Sequence, residues 1–118
     1  MLVGSQISIE GVANFGIYAA TKAAIRSLAR TWTAELANRD IRVNVASPGP
    51  TDTPAISGLV DRDPARDAEL RKLLAASVPL KRMGTAEEQA NVILFLASDE
   101  SCFVAGADLV ADGGKTGV

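Results

Sequence analysis

Tyr18-Ala-Ala-Thr-Lys22 sets a phenol and an ammonium four residues apart, and Ser5 stands thirteen residues before the tyrosine. On a helix, residues four apart are neighbours on one face. A phenol titrates near about 10 and is a poor proton donor or acceptor at neutral pH, until an adjacent cation favours its ionised form. The pair therefore reads as a general acid/base for an alcohol or a ketone. Ser5 is the candidate for orienting the oxygen that gains or loses the proton. Ser8 is its rival, and the spacing to Tyr18 selects Ser5. The chain contains no histidine, which excludes histidine-based metal sites and histidine-dependent triads.

Positioning these groups takes strands and helices in alternation. Residues 1–5 read as the end of a buried strand and residues 6–15 as a loop. From about 17 to 37 the pattern is helical, with Ile25, Leu28, Trp32 and Leu36 forming an apolar face. Lys22, Arg26 and Arg30 form a cationic row, and the two arginines read as a solvated or interface face. Trp32 reads as core or subunit contact. Residues 41–46 alternate and are β-branched, which predicts a strand. Pro48-Gly49-Pro50 breaks the chain after it, and 51–63 reads as a loop with a short helix near 55–60. A charged helix is predicted from Pro64 to Ala76, then an extended Val78-Pro79-Leu80. Thr85 suits a helix N-cap, with Glu87 and Glu88 in the first turn of a helix running to about 97. Asp108 to Ala111 reads as a last strand, closed by a turn at Asp112-Gly113-Gly114.

This order predicts an α/β unit of three parallel strands with right-handed helical crossovers. In such a sheet the site lies beyond the carboxyl ends of the strands. Ser5 and the Pro48 to Thr53 loop would then share a rim with the start of the Tyr18 helix.

Four segments in order carry a resemblance: Ser5 with Tyr18-x-x-x-Lys22, Arg42-Val-Asn-Val-Ala-Ser-Pro-Gly-Pro-Thr-Asp-Thr53, Gly84-Thr-Ala-Glu-Glu-Gln-Ala90, and Gly106-Ala-Asp-Leu-Val-Ala-Asp-Gly-Gly114. The chain resembles the C-terminal half of the short-chain dehydrogenases/reductases across nearly its whole length. The resemblance implies a partial Rossmann-like fold, with 1–118 as the catalytic half of an NAD(P)-binding domain. It implies hydride transfer between NAD or NADP and a secondary alcohol or ketone. Ser5, Tyr18 and Lys22 would be catalytic. Tyr18 and Lys22 would also touch the cofactor, with Lys22 holding the nicotinamide ribose, and Pro48, Gly49, Thr51 and Thr53 would bind it. Dimers or tetramers are implied, joined through the Tyr18 helix and the last strand. The family's first half carries a glycine-rich phosphate loop, the cofactor-selecting residue and an asparagine of the proton relay. None of these is matched here, and no glycine spacing in the 118 residues forms such a loop. The chain alone is therefore expected to bind NAD(P) weakly or not at all and to be inactive by itself. The alternative is a non-catalytic remnant or oligomerisation module.

Composition bounds the rest. With 47% hydrophobic and 22% charged residues the chain is of ordinary globular type. A net charge of −2 gives no case for nucleic acid or an anionic membrane, and Val92 to Ala97 is too short an apolar run to span a bilayer. The N-terminus has no basic segment leading into an apolar run, so a cytoplasmic protein is expected. The one cysteine, Cys102, is expected to be a buried, inert thiol.

Overall fold

The computed structural model describes residues 1–118. Strand β1 (Leu2–Val3) pairs in parallel with β2 (Val45–Pro48), which pairs in parallel with β5 (Asp108–Ala111), in the order β1-β2-β5. Helix α1 (Gly16–Leu36) crosses from β1 to β2. Between β2 and β5 lie β3 (Thr51–Asp52), α2 (Pro54–Gly58), α3 (Pro64–Ser77), β4 (Gly84–Thr85) and α4 (Ala86–Ala97). No helix is long and apolar enough to cross a membrane.

The predicted strands at 1–5 and 41–46 move. The first shortens because Ser5 leaves the ladder to cap a 3-10 turn at Gln6–Ser8. The second slides toward its carboxyl end, because β5 pairs with Val45 to Pro48 in register. Residues before Val45 are an extended lead-in. There the buried Asn44 amide donates to the Val104 carbonyl (2.7 Å) and accepts from the Ala107 N–H (3.0 Å). The pairing of β3 with β4 adds a second, two-stranded parallel sheet that the sequence pattern does not announce. Helix boundaries fall within a residue or two of the expected ones. Thr85 caps α4 as expected: its hydroxyl accepts from the Glu88 N–H while the Glu88 carboxylate accepts from the Thr85 N–H. Those bonds and the Arg82 guanidinium, the larger influence, pull the Glu88 pKa down to about 2.

The core is thin. Ala29, Val43 and Val45 form its centre, with Leu2, Ile25 and Leu36 packed against them. The predicted stripe on α1 therefore splits: Ile25 and Leu36 face the sheet, whereas Leu28 and Trp32 stay half exposed. Cys102 is exposed, contrary to expectation, because its apolar neighbour Phe103 is itself fully exposed. The chain exposes 7382 Å², against about 6100 Å² for a monomer of its mass. Its radius of gyration of 15.5 Å exceeds the roughly 13.5 Å typical of its length.

Arg26 is not part of a solvated row. Its Nε lies 2.6 Å from the Asp108 carboxylate, which also accepts from the Ser47 hydroxyl at 2.5 Å. One ion pair thus ties α1, one turn beyond Lys22, to both β2 and β5. The two side chains are 27% and 14% exposed, so solvent screens the pair only in part. Arg26→Met and Asp108→Asn should each lower the unfolding free energy by about 1–3 kcal/mol. The double variant should cost less than the two single costs combined. Urea denaturation measures this, and simple additivity of two negligible costs would contradict the tie.

Candidate functional site

Ser5 follows β1, Pro48 ends β2, and Tyr18 lies in the first turn of α1. These three, with Gly49 and Thr51, line one open cleft of about 590 Å³. The parallel topology accounts for this, since both strand ends point to the same rim.

Ser5 is buried, with an extended backbone, and its Oγ accepts from the Ile7 N–H at 3.3 Å. Its hydroxyl proton is thereby left free to be donated elsewhere. Tyr18 is 44% exposed, so its phenol is accessible from the cleft. The Phe15 ring meets it edge-on, with centroids 6.2 Å apart. The Lys22 ammonium lies 5.6 Å from the centre of the Tyr18 ring, as the one-turn spacing requires. It also donates to the Val3 carbonyl at 3.1 Å. That carbonyl is available because the N–H groups of Leu2 and Gly4 bond across to β2, which leaves Val3 on the opposite edge of the strand. Lys22 does not itself line the cleft.

Gly49 is bonded through its N–H to the Ala111 carbonyl at 2.9 Å. A Cβ there would overlap the backbone of Asp112, so only glycine lets the two chain segments close together. The Thr51 hydroxyl donates to the Gly49 carbonyl at 2.9 Å and so braces this turn. Thr53 is outside the lining; it precedes α2 without a side-chain capping bond. Its carbonyl accepts from Arg71, which also grips Asp52 and Asp67 and pins α3 over the loop. The bond from Arg71 holds the Asp67 carboxyl below its ordinary value.

The sequence reading passes over Gln6, Asn14 and Lys115, all of which line the cleft. Asn14 has a left-handed backbone (φ 69°), which asparagine tolerates. Gln6 is buried and donates to Glu10 at 3.2 Å. Lys115 is delivered by a turn built on Asp112. Burial alone would raise the Asp112 pKa, but bonds from the Thr116 hydroxyl and N–H and from the N–H groups of Gly114 and Lys115 outweigh it and lower the value. The Asp-Gly-Gly turn signal was the available clue. No group of three His, Cys, Asp or Glu side chains is placed to hold a metal ion.

Comparison with known proteins bears on the family and the fold. The profile of the family described as enoyl-(acyl carrier protein) reductase matches residues 1–116. The 3-oxoacyl-[acyl-carrier-protein] reductase FabG of Thermotoga maritima is 44% identical over 112 residues, covering 95% of this chain and 43% of the relative. The cis-4-hydroxycyclohexanecarboxylate dehydrogenase of Sinomonas cyclohexanicum is 41% identical over 116 residues, covering 98% of the chain and 44% of the relative. Among solved structures, the aldohexose dehydrogenase of Thermoplasma acidophilum superposes with a TM-score of 0.89 at 28% identity, over 99% of this chain and 48% of that one. YwfH, an NADPH-dependent reductase involved in bacilysin biosynthesis, superposes with a TM-score of 0.86 at 29% identity, over 97% and 45%. The chain spans about half the length of the curated relatives it matches.

Proposed function

The chain belongs to the short-chain dehydrogenase/reductase family, and from that premise we propose that it supplies the proton-transfer half of an NAD(P)-dependent alcohol/ketone oxidoreductase. The observation that carries this reading is the convergence of Ser5, Tyr18, Pro48, Gly49 and Thr51 on one cleft. A nicotinamide cofactor supplies or accepts the hydride when bound. The Tyr18 hydroxyl gives its proton to the carbonyl oxygen, or takes it from the alcohol. The Ser5 hydroxyl donates to the same oxygen and fixes its position. Lys22 sets a cation beside the Tyr18 ring and, by the family resemblance, would hold the nicotinamide ribose.

The residues present suit the nicotinamide end of a dinucleotide. The Pro48-Gly49 turn offers a flat approach without a side chain, braced by Thr51. They do not suit its phosphates, which need a glycine-rich turn at a helix N-terminus that these 118 residues lack. Calorimetric titration of the chain with NADH and NADPH should therefore give dissociation constants weaker than micromolar. Micromolar binding would contradict the half-site reading.

The surplus surface, about 1300 Å² above that of a typical monomer, supports association with a nucleotide-binding half, a second copy, or both. It exceeds the roughly 800 Å² that one partner buries in a standard interface. Leu28, Trp32, Leu94 and Phe103 are among the chain's exposed apolar residues. We place dimerisation or tetramerisation on α1 and β5, and residence in the cytoplasm.

A further inference from the structure

Lys115 is the one charged residue among the sixteen that line the cleft, and half of those residues are hydrophobic. Its side chain is only 15% exposed. It is held by the Asp112 turn, whose carboxylate accepts from the Gly114 N–H (2.9 Å), the Thr116 N–H (2.8 Å) and the Thr116 hydroxyl (2.7 Å). Gly113 and Gly114 adopt left-handed backbone to close that turn. The backbone that carries Lys115 is therefore fixed. Its carboxylate partner, Glu10, lies 3.5 Å away, beyond the roughly 2.7–2.9 Å of a good charge-assisted bond. Glu10 stands outside the lining and is shared with the Gln6 amide. An ammonium has three donors, so one loose pair leaves capacity for a second anion. An anion seated against the apolar half of this lining is less screened than in open water.

We propose that Lys115 is an anion-recognition residue, and that the cleft takes a substrate bearing a carboxylate in addition to its carbinol or keto group, an oxo or hydroxy acid. This rests on the alcohol/ketone reading and names its substrate class. The same chemistry would attract a dinucleotide phosphate, and the test separates the two.

NMR titration of the chain with 4-oxopentanoate and with its uncharged methyl ester reads binding at the Ser5 and Tyr18 amides. The acid should bind at least about tenfold tighter than the ester, the size of one charged hydrogen bond. Lys115→Met should abolish that preference and Lys115→Arg should keep it. Since Lys115→Met leaves Glu10 uncompensated, the double variant with Glu10→Gln is also needed, and it too should bind acid and ester equally. Ester bound as tightly as acid by the unaltered chain, or an acid preference surviving Lys115→Met, overturns the proposal but leaves the alcohol/ketone reading standing. Binding of neither probe overturns both. In the chain joined to a nucleotide-binding half, NAD(P)H affinity should not respond to Lys115→Met. A tenfold loss there assigns Lys115 to the cofactor and overturns the proposal.

Discussion

Tyr18→Phe should lower turnover by at least about 100-fold in the chain joined to a nucleotide-binding half, the low end of what a positioned general acid contributes. The chain has one tyrosine and no histidine, so none of its own residues offers a second phenol or imidazole. The substitution removes a single hydroxyl. It keeps the edge-on contact with Phe15 and the ring beside the Lys22 ammonium. Tyr18 is 44% exposed, so the change should alter stability by less than about 0.5 kcal/mol. The loss should fall on kcat and on kcat/KM alike, because the bond is made in the transition state. Near-normal turnover by a well-folded Tyr18→Phe protein would remove the mechanism.

Gly49→Ala should damage stability and activity together. The added methyl meets the Asp112 backbone and approaches the buried Gln6 amide oxygen to 3.1 Å. Backbone cannot swing aside as a surface side chain can, so the β2 and β5 ends must separate. Overpacking of this kind costs about 1–3 kcal/mol. The displacement also carries the Pro48-Gly49 wall and the Lys115 turn away from Ser5 and Tyr18. A shift of about 1 Å at a reacting centre can cost on the order of 100-fold in rate. Gly16→Ala is the control. A Cβ there meets nothing within 4 Å, and alanine at the start of α1 should be neutral or mildly stabilising. Thermal melts and turnover of the two variants check this. Equal behaviour would mean that the Gly49–Asp112 contact constrains nothing.

Much of this arrangement was legible because it is written locally. The one-turn spacing of Tyr18 and Lys22 fixes their proximity, and Thr85 with Glu88 marks the start of α4. The last strand fell at Asp108–Ala111, the residues expected. What escaped depends on partners distant in sequence. The alternation at 41–46 gives strand propensity, but β5 decides which residues pair, and it selects Val45 to Pro48. Strands of two residues, such as Thr51–Asp52 and Gly84–Thr85, carry no periodicity to read. Arg26 looks solvated until the fold brings Asp108 to it. Cys102 has apolar neighbours, yet the surface they form lies open. In the cleft, Ser5, Tyr18, Pro48, Gly49 and Thr51 come together as their positions after strands imply. Thr53 is drawn instead toward the Arg71 cluster, and Lys115 enters through a turn whose geometry depends on the buried Asp112.

Hydride transfer itself is the most direct test of the central claim. The chain, joined at its N-terminus to a glycine-rich nucleotide-binding half, is incubated in ordinary water with a ketone acid and nicotinamide cofactor deuterated at C4. The donor half alone and the Tyr18→Phe protein serve as controls. Mass spectrometry of the product alcohol reads the label. The account predicts one deuterium on the carbinol carbon, formed by the joined protein and suppressed by at least about 100-fold in the Tyr18→Phe protein. An alcohol without the label, or equal labelling by the donor half or by the Tyr18→Phe protein, would contradict it.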